Sequence, residues 1–375
     1  MSSQIGILTA GNDSPGLNAA IRAFGKTARS EFGMHLIGFQ DGFQGMAEDR
    51  AIPLEGDLLS GILTQGGTLL GTSPDHPLEG SHPELTASIL ETYRRRQLDA
   101  LICLGGRETQ ASALFLARQG LNILTLPRGI DNDLPETDLS IGCDTALGAA
   151  VEAIDRVHST ASSHHRILIV EIVGQYSGWL TLGAGLAGGA DVILIPEVPY
   201  HIRKVADAIL ERRQAGKRFS IIAVAEGAMP YEQIQFFERS RKANQSLRQG
   251  DDRDRVAAQL HEIERQATRG NTLLLANRLE SFTQLETRTT ILGYLLRGGT
   301  PSATDRILAT RLGTACAALV HENCFGLMVG IRQGVATPVP LEKVAGGCKT
   351  VPLDDPRLDS ARRVGTCLGD SYPSA

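Results

Sequence analysis

Short runs of β-branched and aliphatic residues alternate along this chain with longer stretches of helical period. Ile5–Thr9 reads as a buried strand, leads into a polar turn at Gly11–Gly16, and gives way to apolar positions at helical spacing from Leu17 to Phe32. Leu101–Leu104 repeats the pattern, with Gly105 and Gly106 before a helix over Thr109–Gln119. Asn122–Leu126, Ile167–Val173, Val192–Ile195 and Ser220–Ala225 read as further strands by length and content. Further helices are expected over Ala146–Ser162, Ile202–Ala215 and Asp305–Leu319. Strands alternating with helices in this way predict βαβ units, hence an α/β fold of mostly parallel sheets flanked by helices. Ligands of such sheets bind beyond the carboxyl ends of strands. The turns in suitable places are Gly11–Gly16, Gly66–Gly71, Gly105–Thr109, Arg128–Asp133 and Gly174–Gly178.

The chain has 375 residues, 42% of them apolar, enough for two lobes with a full core and no disulfides. A net charge of −5, with both signs mixed along the whole length, argues against a nucleic-acid surface, because such surfaces gather positive charge. None of the six cysteines forms a C-x-x-C pair, which reads as reduced thiols in a cytoplasmic protein. No signal peptide is visible, and no apolar run approaches the ~18 residues of a membrane span. Residues 231–270 are rich in Gln, Arg, Glu and Asp and read as a charged insertion around a polar loop at Arg248–Arg253. The last ten or so residues are expected to be loosely ordered.

Asp131 and Asp133 place two carboxylates in one polar turn after a strand. Such a pair can hold a hydroxyl and remove its proton, as phosphoryl transfer to an alcohol requires. Taken alone, Asp-Asn-Asp suits an ordinary turn or a calcium loop equally well.

The neighbouring segments decide between these. Gly11-Asn-Asp-Ser-Pro-Gly-Leu-Asn-Ala-Ala-Ile-Arg22 resembles the GGDxPGxNAxIR opening of the phosphofructokinase family. Gly66-Gly-Thr-Leu-Leu-Gly-Thr-Ser73 is similar to its GGTxLGTS, Asp131–Asp133 to its TIDND, Ser162–Ile167 to its SSHxRI and Val224–Gly227 to a later strand end. Glu286–Gly299 resembles ETRxTxLGHxQRGG, and the match runs in order from about residue 4 to residue 370. The resemblance implies one phosphofructokinase domain, 1–375, made of two α/β lobes with the active site between them. It implies transfer of a phosphoryl group to the C1 hydroxyl of fructose 6-phosphate, from ATP or pyrophosphate with Mg2+. It also implies a homodimer or homotetramer, because sugar-phosphate contacts cross a subunit interface.

By the same resemblance Asp131 is the general base with Asp133 beside it. Arg166 and Arg288 reach across from a neighbouring subunit, and Glu226 and Arg297 bind the sugar and its phosphate. Gly174 opens the turn beside them. Two sugar-side positions depart from the pattern: Tyr294 stands where the family usually has His, and Gln175 where it has Arg.

The donor side, expected from Gly11, Asn12, Gly105, Gly106, Arg107, Glu108, Thr109 and Arg128, departs further. The family's GGDGS reads Gly105-Gly-Arg-Glu-Thr109, so the aspartate that would hold magnesium is Arg107 and no metal ligand is assigned. Asn12 replaces a Gly, Pro74 an Arg and Gly129 a Thr. Glu108 and Arg128 lie where pyrophosphate users carry an acid and a Lys. Two readings follow. One is a kinase with an altered donor, in which Arg107 stands in for part of the metal's charge. The other is a silent relative that binds sugar phosphate as a regulator, or as a subunit of a mixed oligomer with an active member. The accumulated losses on the donor side weigh toward the second. Arg22, Lys26 and Asp191 resemble an effector surface of bacterial members, although a solvated helix face accounts for them more simply, and Trp179 is expected in the core.

Overall fold

A computed structural model of the chain describes residues 3–78, 82–247, 263 and 270–370. The chain divides into two compact units, Met1–Ala146 with Tyr294–Lys349, and Leu147–Gly293 with Thr350–Ala375. Strands β1 (Gln4–Thr9), β2 (His35–Phe39), β3 (Ala51–Pro53), β4 (Ala100–Gly105) and β5 (Ile123–Pro127) belong to the first unit. Strands β6 (Ile167–Ile172), β7 (Val192–Leu194), β8 (Ser220–Ala225) and β9 (Thr287–Ile291) form the second, and the chain returns to the first with β10 (Leu327–Arg332) and β11 (Val335–Pro340).

The first unit is a seven-stranded sheet of order β11-β10-β5-β4-β1-β2-β3, parallel except for the two edge strands. Alternate residues of each central strand face opposite sides, as the pleat requires. Ile5, Ile7, Ile102, Leu104, Leu124 and Leu126 share one core with the helices Leu17–Ser30 and Ala303–His321. Leu8, Leu101, Cys103 and Ile123 share the other core with Ala113 and Leu116 of the helix Arg107–Arg118. The two helices on the first face approach closely at Gly313, where an added Cβ would lie 2.8 Å from Ala23 Cβ and from the Phe24 backbone nitrogen. Asp305 is buried at the start of its helix and accepts hydrogen bonds from the backbone N–H groups of Gly142 and Thr145, each at 2.8 Å. That ties the helix Ala303–His321 to the start of the helix Cys143–His164.

Pairing in register sets Thr9 beside Leu104 and Gly105 beside Pro127, so the turns after β1, β4 and β5 emerge next to one another. The winding of the sheet reverses between β1 and β4, which is where doubly wound sheets open a crevice for ligand.

The second unit is a four-stranded parallel sheet of order β7-β8-β6-β9. Ile167, Ile169, Ile222 and Val224 pack against the helices Ile202–Gln214 and Asn271–Thr283.

Several expectations need correction. The helix after β4 begins at Arg107 and not Thr109, because Gly106 takes an extended conformation that lets the helix start directly behind it. Of the tail expected to be loose, residues 366–370 are held in place, and 371–375 lie outside the described residues. The Cys367 N–H donates to the Asp191 carbonyl and its own carbonyl accepts from the Ile193 N–H, while the Gly369 carbonyl accepts from His201. Trp179 is half-buried, not in the core, and the Arg357 guanidinium lies 4.4 Å over its ring. Within the charged segment the helix Tyr231–Leu247 is described, whereas the loop expected at Arg248–Arg253 lies outside the described residues. Asp191 is engaged within the second unit, by Arg212 at 2.6 Å and by the Ile221 N–H at 2.9 Å. No described helix is long and apolar enough to cross a membrane. All six cysteines are free thiols.

Candidate active site

The turn after β5 carries Asp131 and Asp133. Between them Asn132 takes a left-handed conformation with φ of 53°, which Asn tolerates better than most residues. Its amide holds the turn on both sides, donating to the Asp138 carbonyl at 3.1 Å and accepting from the Ser140 N–H at 3.0 Å. The Asp133 carbonyl accepts from the Lys349 N–H at 2.7 Å. These bonds hold the turn through the Asn132 side chain and the backbone of Asp133, and the Asp133 carboxylate also accepts from the backbone N–H of its own residue.

Arg107 turns toward this pair. Its Nη1 lies 3.7 Å from Asp133 Oδ2, and its Nε donates to the Gly347 carbonyl at 3.0 Å. A cation in the first turn of a helix opposes the helix dipole, so Asp133 and the Gly347 carbonyl provide the local compensation. Burial pushes the Asp133 carboxyl above its usual range, and Arg107 is the main influence drawing it back.

Arg128 sits beneath the same turn with 6% of its surface exposed. Its Nη2 donates to the Ala10 carbonyl at 2.6 Å, while its buried Nε has no hydrogen-bond partner. Burial brings its pKa down to about 10, with Arg297 adding to the effect and Asp131, Asp13 and Asp133 opposing it. Arg297 lies against the Tyr294 ring at 5.2 Å.

Gly11 has φ of +74° and receives Arg128 closely: a Cβ there would stand 3.0 Å from Arg128 Nη2. Asn12 is exposed beside it. The Thr109 hydroxyl is directed to the Ala10 carbonyl at 3.4 Å, and Gly105 and Gly106 form the bend before Arg107. Glu108 is exposed, but its carboxylate comes within 3.4 Å of His76 Nε2. His76 and Ser73 are the neighbours that sequence reasoning missed. The Ser73 carbonyl accepts from the Gly11 N–H at 2.9 Å. The sequence signals were the place of Ser73 at the end of the Gly66–Ser73 motif and a lone histidine just past it.

In the second unit the candidates form two groups. The Glu226 carboxylate accepts from the Gly174 N–H at 3.5 Å, beside Gln175, at the carboxyl ends of β6 and β8. Arg166 precedes β6 and Arg288 pairs near its start, opposite Leu168. Both guanidinium groups share Glu286. Arg166 Nε bonds it at 2.5 Å and Arg288 through Nη2, and the Arg166 hydrogen bond holds the Glu286 carboxyl below its usual range. Six residues of β6 separate the two groups, about 20 Å at about 3.3 Å per residue.

Among the described residues no group of three or more His, Cys, Asp or Glu could hold a metal ion. At the turn after β4 the residues present do not fit magnesium, since a guanidinium offers no lone pair and already faces Asp133.

Two mostly parallel sheets flanked by helices, the first with acids and guanidinium groups in the turns beside its switch point, define a doubly wound α/β protein. Residues 4–320 match the phosphofructokinase family, and the chain belongs to it. It is 51% identical over 376 residues to the ATP-dependent 6-phosphofructokinase of Propionibacterium freudenreichii, covering 99% of this chain and all of that one. It is 43% identical over 373 residues to the enzyme of the same name from Spirochaeta thermophila, covering 97% of each. Among solved structures, the phosphofructokinase of Saccharomyces cerevisiae aligns with a TM-score of 0.72 at 29% identity over 91% of this chain, which spans 45% of the yeast chain. A pyrophosphate-dependent phosphofructokinase from Nitrosospira multiformis shares the fold, with a TM-score of 0.77 at 18% identity over all of this chain and 94% of that one.

Proposed function

We propose that this chain is a cytoplasmic 6-phosphofructokinase that transfers a phosphoryl group to the C1 hydroxyl of fructose 6-phosphate, giving fructose 1,6-bisphosphate. The observation that carries the reading is the Asn132-pinned turn after β5, beside the switch point, which brings two carboxylates within electrostatic reach of Arg128. Asp131 accepts the hydroxyl proton as the C1 oxygen attacks the phosphorus of the donor's terminal phosphate, and the bridging P–O bond breaks to release ADP from ATP or phosphate from pyrophosphate. Asp133 orients Arg107, whose fixed positive charge faces the negative charge of the transferring group and stands in for part of a metal's role. Gly11, Asn12, Gly105, Gly106, Glu108, Thr109 and Arg128 form the donor side.

Glu226, Gln175 and the Gly174 turn bind the sugar hydroxyls, and Arg297 and Tyr294 its phosphate. Arg166 and Arg288 lie too far along β6 to serve the same site as Glu226, which supports their completing the site of a neighbouring copy in a homo-oligomer. Full-length relatives that carry the kinase's name support activity over silence. One observation favours the other reading, a sugar-phosphate-binding regulator: a guanidinium, which cannot coordinate a metal, lies 3.7 Å from the Asp133 carboxylate.

The test is formation of fructose 1,6-bisphosphate with ATP, ADP and pyrophosphate in parallel, with and without Mg2+. Turnover with ATP or pyrophosphate is expected. No turnover with any donor, while fructose 6-phosphate still raises the melting temperature, would establish the regulator.

A further inference from the structure

Buried polar atoms in folded proteins almost always have hydrogen-bond partners, and each exception calls for an explanation, a water, an ion or a ligand among them. Around Gly11 there are three exceptions from two separate segments: Ser73 Oγ and His76 Nε2 from one, and Arg128 Nε from the other. Their closeness is fixed by geometry. The ideal Cβ position of Gly11 is 3.0 Å from Arg128 Nη2 and 3.5 Å from His76 Nε2, and the Gly11 N–H bonds to the Ser73 carbonyl.

His76 is built into this place. Only 7% of it is exposed, its ring meets Phe43 edge-on at 5.9 Å, and its Nδ1 lies 3.4 Å from Ser112 Oγ. Burial keeps the imidazole below its ordinary pKa against the opposing pull of Glu108 and Asp75, and Arg128 adds to the lowering. In the tautomer that takes the Ser112 hydroxyl proton at Nδ1, the one the inference below requires, Nε2 carries the hydrogen and donates. The carboxylate of Glu108 stands 3.4 Å from Nε2 outside hydrogen-bond geometry, and its side chain is exposed and free to swing away.

We infer that His76, with Ser73, is a donor-binding residue whose Nε2–H grips an oxygen of a phosphoanhydride, the chemistry shared by inorganic pyrophosphate and the triphosphate tail of a nucleotide. Arg128 supplies the positive charge and Gly11 the open backbone. Asn12 and Arg107, which sequence alone marks as damage to the donor loop, leave this inner cradle untouched. The inference rests on reading the first unit as the donor side, and it adds two residues to that side.

The test compares wild type with His76→Asn, His76→Gln and Ser73→Ala in the full chain. Calorimetric titration with pyrophosphate and with ATP gives a readout that needs no turnover, and steady-state kinetics give KM for each substrate. The expected result for His76→Asn is a donor Kd and KM raised about 10-fold. The KM for fructose 6-phosphate stays within about twofold, because Gly11, Phe43, Glu108 and Ser112 around His76 all belong to the first unit and none is a proposed sugar contact. Gln, whose amide can donate, restores part of the affinity, and Ser73→Ala weakens the donor about threefold. Loss for pyrophosphate alone or for both donors names the ligand. Wild-type turnover with unchanged donor constants in both the His76→Asn and Ser73→Ala chains would overturn the inference and leave the proposed activity standing. A silent chain that still binds pyrophosphate more weakly as His76→Asn would do the reverse. If wild type binds neither donor, both fall. Should His76→Asn fail to fold, the Ser73→Ala titration decides alone.

Discussion

Replacing Asp131 with Asn is expected to lower kcat for fructose 1,6-bisphosphate formation by about 10³-fold, with the KM for fructose 6-phosphate moved less than about threefold. The expectation follows from how the turn is held. Asn132 bonds to Asp138 and Ser140, and Asp133 is fastened through its own carbonyl to Lys349, so none of these anchors uses the Asp131 side chain. An amide of the same shape leaves the turn in place and removes only the basic oxygen. The loss should therefore fall on the chemical step, which registers as kcat. A fall of less than about tenfold would remove Asp131 from the role of base, and attention would shift to Asp133. The same chain also serves as the control for contaminating host kinase in any activity assay.

Arg107→Asp is expected to abolish activity in metal-free buffer, by about 10²-fold or more, and to recover it in part with millimolar Mg2+. In the native chain the guanidinium faces Asp133 across 3.7 Å and donates to the Gly347 carbonyl. An aspartate there would set two carboxylates against each other in a site where burial already disfavours the charged form of Asp133. A divalent cation relieves that repulsion and supplies the charge that Arg107 had provided. The measurement is a Mg2+ titration of the initial rate for both chains. If the native chain depends on Mg2+ as steeply as the variant, Arg107 does not substitute for the metal's charge.

Much of the framework was readable before any coordinates. The central strands announce themselves because both of their faces are buried, so β4 is an unbroken apolar run, β5 is interrupted only by Thr125, and the two end in glycine and proline. Edge strands do not announce themselves in this way. β3 is three residues long and ends in Pro53, and β11 carries Pro338 and Pro340, which an edge position tolerates and a periodicity test rejects. The start of the helix at Arg107 was misplaced because a basic residue in a first turn contradicts the dipole rule, and the tertiary partners that permit it are invisible locally. The motif segments bearing Asp131, Arg128 and Gly11 were legible as a string. The part played by His76 was not, because its place beside Gly11 comes from the fold of the Gly66–Ser73 segment against β1 and not from any spacing. The loose tail was misjudged for a related reason. Cys367 and Gly369 look like terminal polypeptide in sequence and turn out to bridge to Asp191, Ile193 and His201.

The distance along β6 carries a genetic consequence. If Arg166 and Arg288 serve one site and Glu226 another, each chain contributes half of two different sites and no lesion in one half touches the other. Two inactive alleles, one lacking Arg166 and one lacking Glu226, would then rescue each other when expressed together. A mixed dimer would gather both lesions into one ruined site and leave the second whole.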